Sequence, residues 1–263
     1  MTTWLEDVRG LPGAQWPLLG YAAVSRALGR MQGRLAAQSS VPDDSWLSRG
    51  WLRAYVARRE RHGTVLLDDA RWRDVPPPAR DAGALRDVFV RVWRDRDALL
   101  DGLDRVPRTL CHLDLHPDNL FGVTRRDGLG RVVMVDWAYT GLGALGEDVG
   151  NLIFDAQLDL HVAPEEGRAL ADLCVGAYVF GLHEGGWDGD DRVVRFAVAA
   201  SAVVKYTWML PHVLLLATGE EGGGASVRGV DLDEVIARRL VVCGQLRDVA
   251  EEASTIGREV GLL

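Results

Sequence analysis

Two short β-type runs, NLFGVT (119–124) and RVVMVDW (131–137), stand in the middle of a chain whose remaining periodicity is helical. RRDGLG joins them, a Gly-rich turn with an Asp-Gly step, so a hairpin is predicted from 119 to 137. Leu18, Leu19, Ala22, Ala27, Leu28, Met31 and Leu35 recur at roughly helical spacing and mark a helix over 17–38. Leu47, Trp51, Leu52, Tyr55 and Val56 mark another over 44–62, which Gly63 should stop. The prolines of VPPPARDAG (75–83) break the pattern, and Leu85 to Leu103 resume it. Further helices are predicted near 146–161, 165–183, 190–218 and 231–256. The expected fold class is α+β, mainly α: a helical body around one small hairpin, with no internal repeat.

Composition narrows the partners. The 263 residues are 48% apolar and carry a net charge of −8. That balance argues against a nucleic-acid surface and admits a cationic ligand. Of 30 basic residues only Lys205 is a lysine. Three widely spaced cysteines suit a reducing compartment, and MTTWLEDVRG lacks the basic and apolar regions of a signal peptide. A cytoplasmic location is the expectation. The apolar stretch 196–219 is long enough to raise a membrane question, but Lys205 and Pro211-His212 interrupt it. A buried core helix is expected there, and no membrane partner.

Chemistry concentrates just before the hairpin, in CHLDLHPDNLF (111–121). Three readings of the residues compete. His112, Asp114 and His116 alternate, as the ligands of a zinc hydrolase might. Asp118 and Asn119 are good turn formers, so the cluster could be a plain polar turn. The third reading uses spacing: His112, Asp114 and Asn119 have the H-x-D-x-x-x-x-N form of a phosphotransferase catalytic loop. Such a loop needs a second metal carboxylate after the following hairpin, and Asp136 ends the apolar run VVMV.

With these stretches in hand, the sequence resembles the aminoglycoside phosphotransferase and choline kinase families. HLDLHPDN, MVDW and GALGEDVGNL are similar to their H-G-D-x-H-x-x-N, I-D-W/F and G-D/E-x-x-D-L motifs. Leu113 and Asp118 depart from the pattern, standing where glycine is usual or common. The resemblance implies the helical C-terminal lobe of a protein-kinase-like fold and transfer of the ATP γ-phosphate to a hydroxyl of an aminoglycoside-like or other small alcohol. It implies Asp114 as the base, with His112 beside it as participant or buttress. Asn119 and Asp136 would hold Mg²⁺ and the nucleotide, and Asp148 would brace the loop. Asp155 and Asp159 could line an acidic pocket for an amine, or form an ordinary solvated face. Trp137 could pack or stack on substrate.

The resemblance also reaches the N-terminus. WLEDVRG is similar to the family's hinge, which adds Glu6 to the cofactor-binding residues, and ALGRMQGRLA is similar to the helix after it. The chain then divides into a hinge-like segment, 1–10, and a helical substrate and catalytic lobe, 11–263. The strand-rich nucleotide lobe is expected to be absent, because no Gly-rich phosphate loop and no lysine precedes the hinge. The alternative function is therefore a truncated homologue serving as a non-catalytic binding module. Self-association through an apolar rim near Trp4 and Leu5 is a further expectation.

Overall fold

The periodic segments fold as helices, and the most apolar take the centre. The computed structural model describes residues 8–38, 44–124, 130–221, 226–227 and 229–263. Glu6, Trp4 and Leu5 lie outside them. Helix α1 (Leu18–Ala37) buries Tyr21, Val24, Leu28 and Gln32, spaced as one helical face. It is followed by α2 (Trp51–Ala57), α3 (Glu60–Leu67) and α4 (Arg86–Asp104). The single helix expected over 44–62 is thus two. Gly63 lies inside α3 and stops nothing: a Cβ there would stand 2.1 Å from the Trp93 ring, so the glycine makes room for that indole.

Strands β1 (Leu11–Pro12), β2 (Arg108–Cys111), β3 (Leu120–Thr124), β4 (Gly130–Met134) and β5 (Gly141–Ala144) frame the polar stretch 111–121. The predicted hairpin is β3–β4, with Leu120 opposite Met134 and Thr124 opposite Gly130. Its connecting residues 125–129 lie outside the described ones. Two pairings were not legible beforehand. The short β1 adds a third strand beside β3, and β2 pairs with β5 from Arg108–Ala144 to Cys111–Gly141.

The C-terminal half supplies α5 (Glu147–Leu158), α6 (Gly167–Glu184), α7 (Asp191–Tyr206), α8 (Met209–Ala217) and α9 (Leu232–Glu259). Asp190 and Asp231 cap α7 and α9, accepting from the backbone N–H of Arg192 and Glu234. The helix expected over 190–218 breaks at Thr207–Trp208. Pro211 lacks an N–H and its ring clashes with the carbonyl four residues back, at Thr207. The segment 191–217 is apolar enough to span a membrane, yet 83% of its most apolar window is buried, packed by α4, α5 and α9.

Helices α1 and α6 approach unusually closely. A Cβ at Gly29 or Gly33 would lie 2.2 or 2.4 Å from the carbonyls of Tyr178 or Leu182. A Cβ at Gly181 would lie 2.2 Å from that of Arg26. Only glycine permits this spacing, and it places Gln32 of α1 against the loop that follows β2.

Candidate active site

The loop after β2 is held from below by one buried carboxylate. Asp148, fully buried in the first turn of α5, accepts the backbone N–H of His112 at 2.9 Å and of Leu113 at 2.8 Å. Gln32 donates to the same carboxylate at 3.1 Å and to the Leu110 carbonyl at 3.0 Å, and Tyr178 donates its hydroxyl to Gln32. Burial pushes the Asp148 carboxyl upward, and the three donors oppose that shift. Asn151, one turn along α5, donates to the Leu113 carbonyl at 3.3 Å. Leu113 is thereby clamped on both sides in a left-handed conformation, φ 66°. This explains why glycine is usual at that place in the resembling motif.

Two hydrogen bonds of Asn119 tie the loop after β2 to the far end of the hairpin. Asn119 donates Nδ2 to the Asp114 carbonyl at 3.0 Å, and its own carbonyl accepts the Val135 N–H at 2.9 Å. Asp136 follows at once, exposed and left-handed at φ 56°. Strain of this kind persists only where surroundings over-determine it, and it gathers at functional sites. The Asn119 hydrogen bonds thus link the Asp114 backbone to Val135, the residue before Asp136. The Asp114 side chain is about a third exposed, at 32%.

His112 does not join them. It is fully buried, and its Nε2–H donates to the Val135 carbonyl at 2.8 Å while its ring lies 4.7 Å from that of Trp137. It ties the loop after β2 to the segment that follows β4 and carries Asp136, a positioning role. The alternating trio of the zinc reading is consequently not formed. His116 instead lies 4.0 Å from Asp114 and gathers with Asp118 and Asp159, their ligand atoms within 4.8 Å. Burial first, then the charge of Asp155, raises the Asp159 carboxyl. Asp155 is not a free acid, because Lys205 pairs with it at 3.1 Å. Trp137 is partly exposed and donates to the Met134 carbonyl.

The donor set suits a hard cation. With Nδ2 engaged, Asn119 keeps Oδ1 available, and Asp136 adds an exposed carboxylate: one amide oxygen and one acid, as Mg²⁺ prefers. Sequence reasoning missed Gln32, Tyr178 and Glu147. Glu147 is buried beside Asp148, accepts the Ala144 N–H at 3.1 Å, and has its carboxyl raised to about 7 by burial and by the Asp148 charge. No spacing marks these three. The Gly29-x-x-x-Gly33 and Gly181-x-x-x-Gly185 pairs were the available sign that α1 and α6 touch.

A helical lobe, a hairpin-borne acid and a braced H-x-D-x-x-x-x-N loop define the protein-kinase-like class of phosphotransferases. Residues 3–186 match the APH family model, phosphotransferase enzyme family, and the chain belongs to that family. No curated protein matches it. Among solved structures, an amicoumacin kinase, hAmiN, in complex with AMP-PNP, Ca²⁺ and Ami is similar at 14% identity and TM-score 0.56, over 93% of this chain and 63% of that one. A Plasmodium vivax ethanolamine kinase is similar at 12% identity and TM-score 0.52, over 93% and 65%. The chain thus spans less than two thirds of either relative.

Proposed function

We propose that this lobe transfers the γ-phosphoryl group of ATP to a hydroxyl of a small molecule, with Asp114 as the base. The observation that carries the reading is that Asn119 hydrogen-bonds to the Asp114 backbone and to Val135, next to Asp136, above the Asp148 brace. The acceptor oxygen bonds to the γ-phosphorus, the bond to the bridging oxygen breaks, and ADP leaves with those electrons. The hydroxyl proton passes to the Asp114 carboxylate. Asn119 Oδ1 and Asp136 would hold Mg²⁺, which when bound neutralises phosphate charge. His112 and Asp148 keep Asp114 in place. The similarity to an amicoumacin kinase and an ethanolamine kinase supports a small-molecule acceptor. The free, buried cysteines are compatible with the cytoplasm as its setting.

The test pairs a phosphate-transfer assay over small alcohols with calorimetric titration of Mg·ATP. Asp114→Asn should lower turnover roughly 10²- to 10⁴-fold and leave Mg·ATP affinity intact, whereas Asp136→Ala should weaken that affinity. For the 263-residue chain alone, weak nucleotide affinity is expected, because two oxygen ligands hold Mg²⁺ poorly without further clamps on the phosphates. Turnover indifferent to Asp114→Asn would refute the assignment. Binding with no transfer to any alcohol would favour the binding-module alternative.

A further inference from the structure

Lys205 is the sole lysine of the chain, and its side chain is only 5% exposed. Its ammonium lies 3.1 Å from Asp155 and 5.3, 5.8 and 5.1 Å from the ring centroids of Trp51, Tyr55 and Tyr206. The rings come from two separate helices, α2 and α7, and the carboxylate from a third. One carboxylate with three aromatic rings is the chemistry that recognises an ammonium ion. A lysine needing only a counter-ion would require none of the rings.

The box stands beside the proposed base. Along α5, Asn151 holds the Leu113 carbonyl and Asp159 clusters with His116. Asp155 lies between them at one-turn spacing, on the same face as Asn151 and as Asp159 just past the helix end. At the other side, Trp51 meets Tyr139 edge-on at 6.1 Å, and Tyr139 follows Asp136 by three residues and is half exposed. The box is thus linked to the Leu113–His116 loop through α5 and to the Asp136 stretch through Tyr139.

We infer that this is a cation-recognition box filled by the chain's own ammonium, and that Lys205 thereby sets acceptor specificity. With its charge in place, the cleft takes neutral or anionic hydroxyl compounds and rejects those bearing an ammonium group near the accepting hydroxyl. The inference rests on Asp114 being the base only for its consequence in catalysis. The box itself can be tested by binding.

The probe is tetramethylammonium chloride, titrated by calorimetry. Lys205→Met keeps an apolar stem in the helix while vacating the ammonium position. The variant should bind tetramethylammonium roughly tenfold or more tighter than the parent protein, and Asp155→Asn in the same background should abolish the gain. If Lys205→Met folds poorly, tetramethylammonium should raise its melting temperature by linkage and leave Lys205→Met/Asp155→Asn unchanged. Equal affinity in parent and Lys205→Met, or no thermal response, overturns the box. In the transfer assay, neutral alcohols should outcompete choline with the parent, and Lys205→Met should narrow that gap. A gap in the opposite sense overturns the specificity role. Absence of transfer to every alcohol counts against the kinase reading alone, since the binding arm stands independently.

Discussion

Leu113 offers a test in which two truncations should rank against the ordinary order. Its φ of 66° costs an L-residue about 1–2 kcal/mol. Asp148 and Asn151 hold it there, and its side chain is 1% exposed. Leu113→Ala and Leu113→Gly each delete that buried side chain, which costs about 2–5 kcal/mol with its cavity. The cavity is nearly common to both, so their difference isolates the backbone. Glycine is relieved of the left-handed penalty, about 1–2 kcal/mol, and loses about 0.5–1 kcal/mol to the greater freedom of its unfolded chain. Leu113→Gly should therefore be the more stable of the two by about 0.5–1 kcal/mol. Urea unfolding of parent and both variants at neutral pH, with matched slopes, reads this directly. If Leu113→Ala proves more stable than Leu113→Gly, as at an ordinary helical site, the clamp does not impose the strain and the account of this loop is wrong.

Glu147 should make stability fall with rising pH. Its carboxyl is raised from 4.5 to about 7, so the stability it contributes is full below pH 4.5, where both states are protonated, and is lost between 4.5 and 7. The loss is about 3 kcal/mol. Glu147→Gln keeps an acceptor for the Ala144 N–H, and melting curves across that window should show it flatter and more stable than the parent at neutral to mildly alkaline pH. A parallel pH dependence would contradict the burial argument. Gly33→Val would drive a side chain into the Leu182 carbonyl, where even a Cβ stands at 2.4 Å. A loss of about 3 kcal/mol, roughly 6–12 °C in melting temperature, is expected. An unshifted melt would mean that α1 and α6 can part freely.

Much of the site was legible because its parts are close in sequence. Asp114 and Asn119 lie just before one hairpin and Asp136 just after it, and short β-type runs with an Asp-Gly step specify such a hairpin locally. Helical periodicity likewise marked α1, α4, α6 and α9, since each buries one face whatever it packs against. The break at Thr207 was written in Pro211, four residues on, but an apolar run obscured it. What the tertiary structure alone decided is pairing at a distance. Gln32 reaches Asp148 across 116 residues because glycines let α1 settle on α6. Asp155, readable from sequence as an acid awaiting an amine, already has one, brought 50 residues from Lys205 on α7. A buried charge must find its partner inside the protein, and helix packing, which no local pattern records, determines which partner that is.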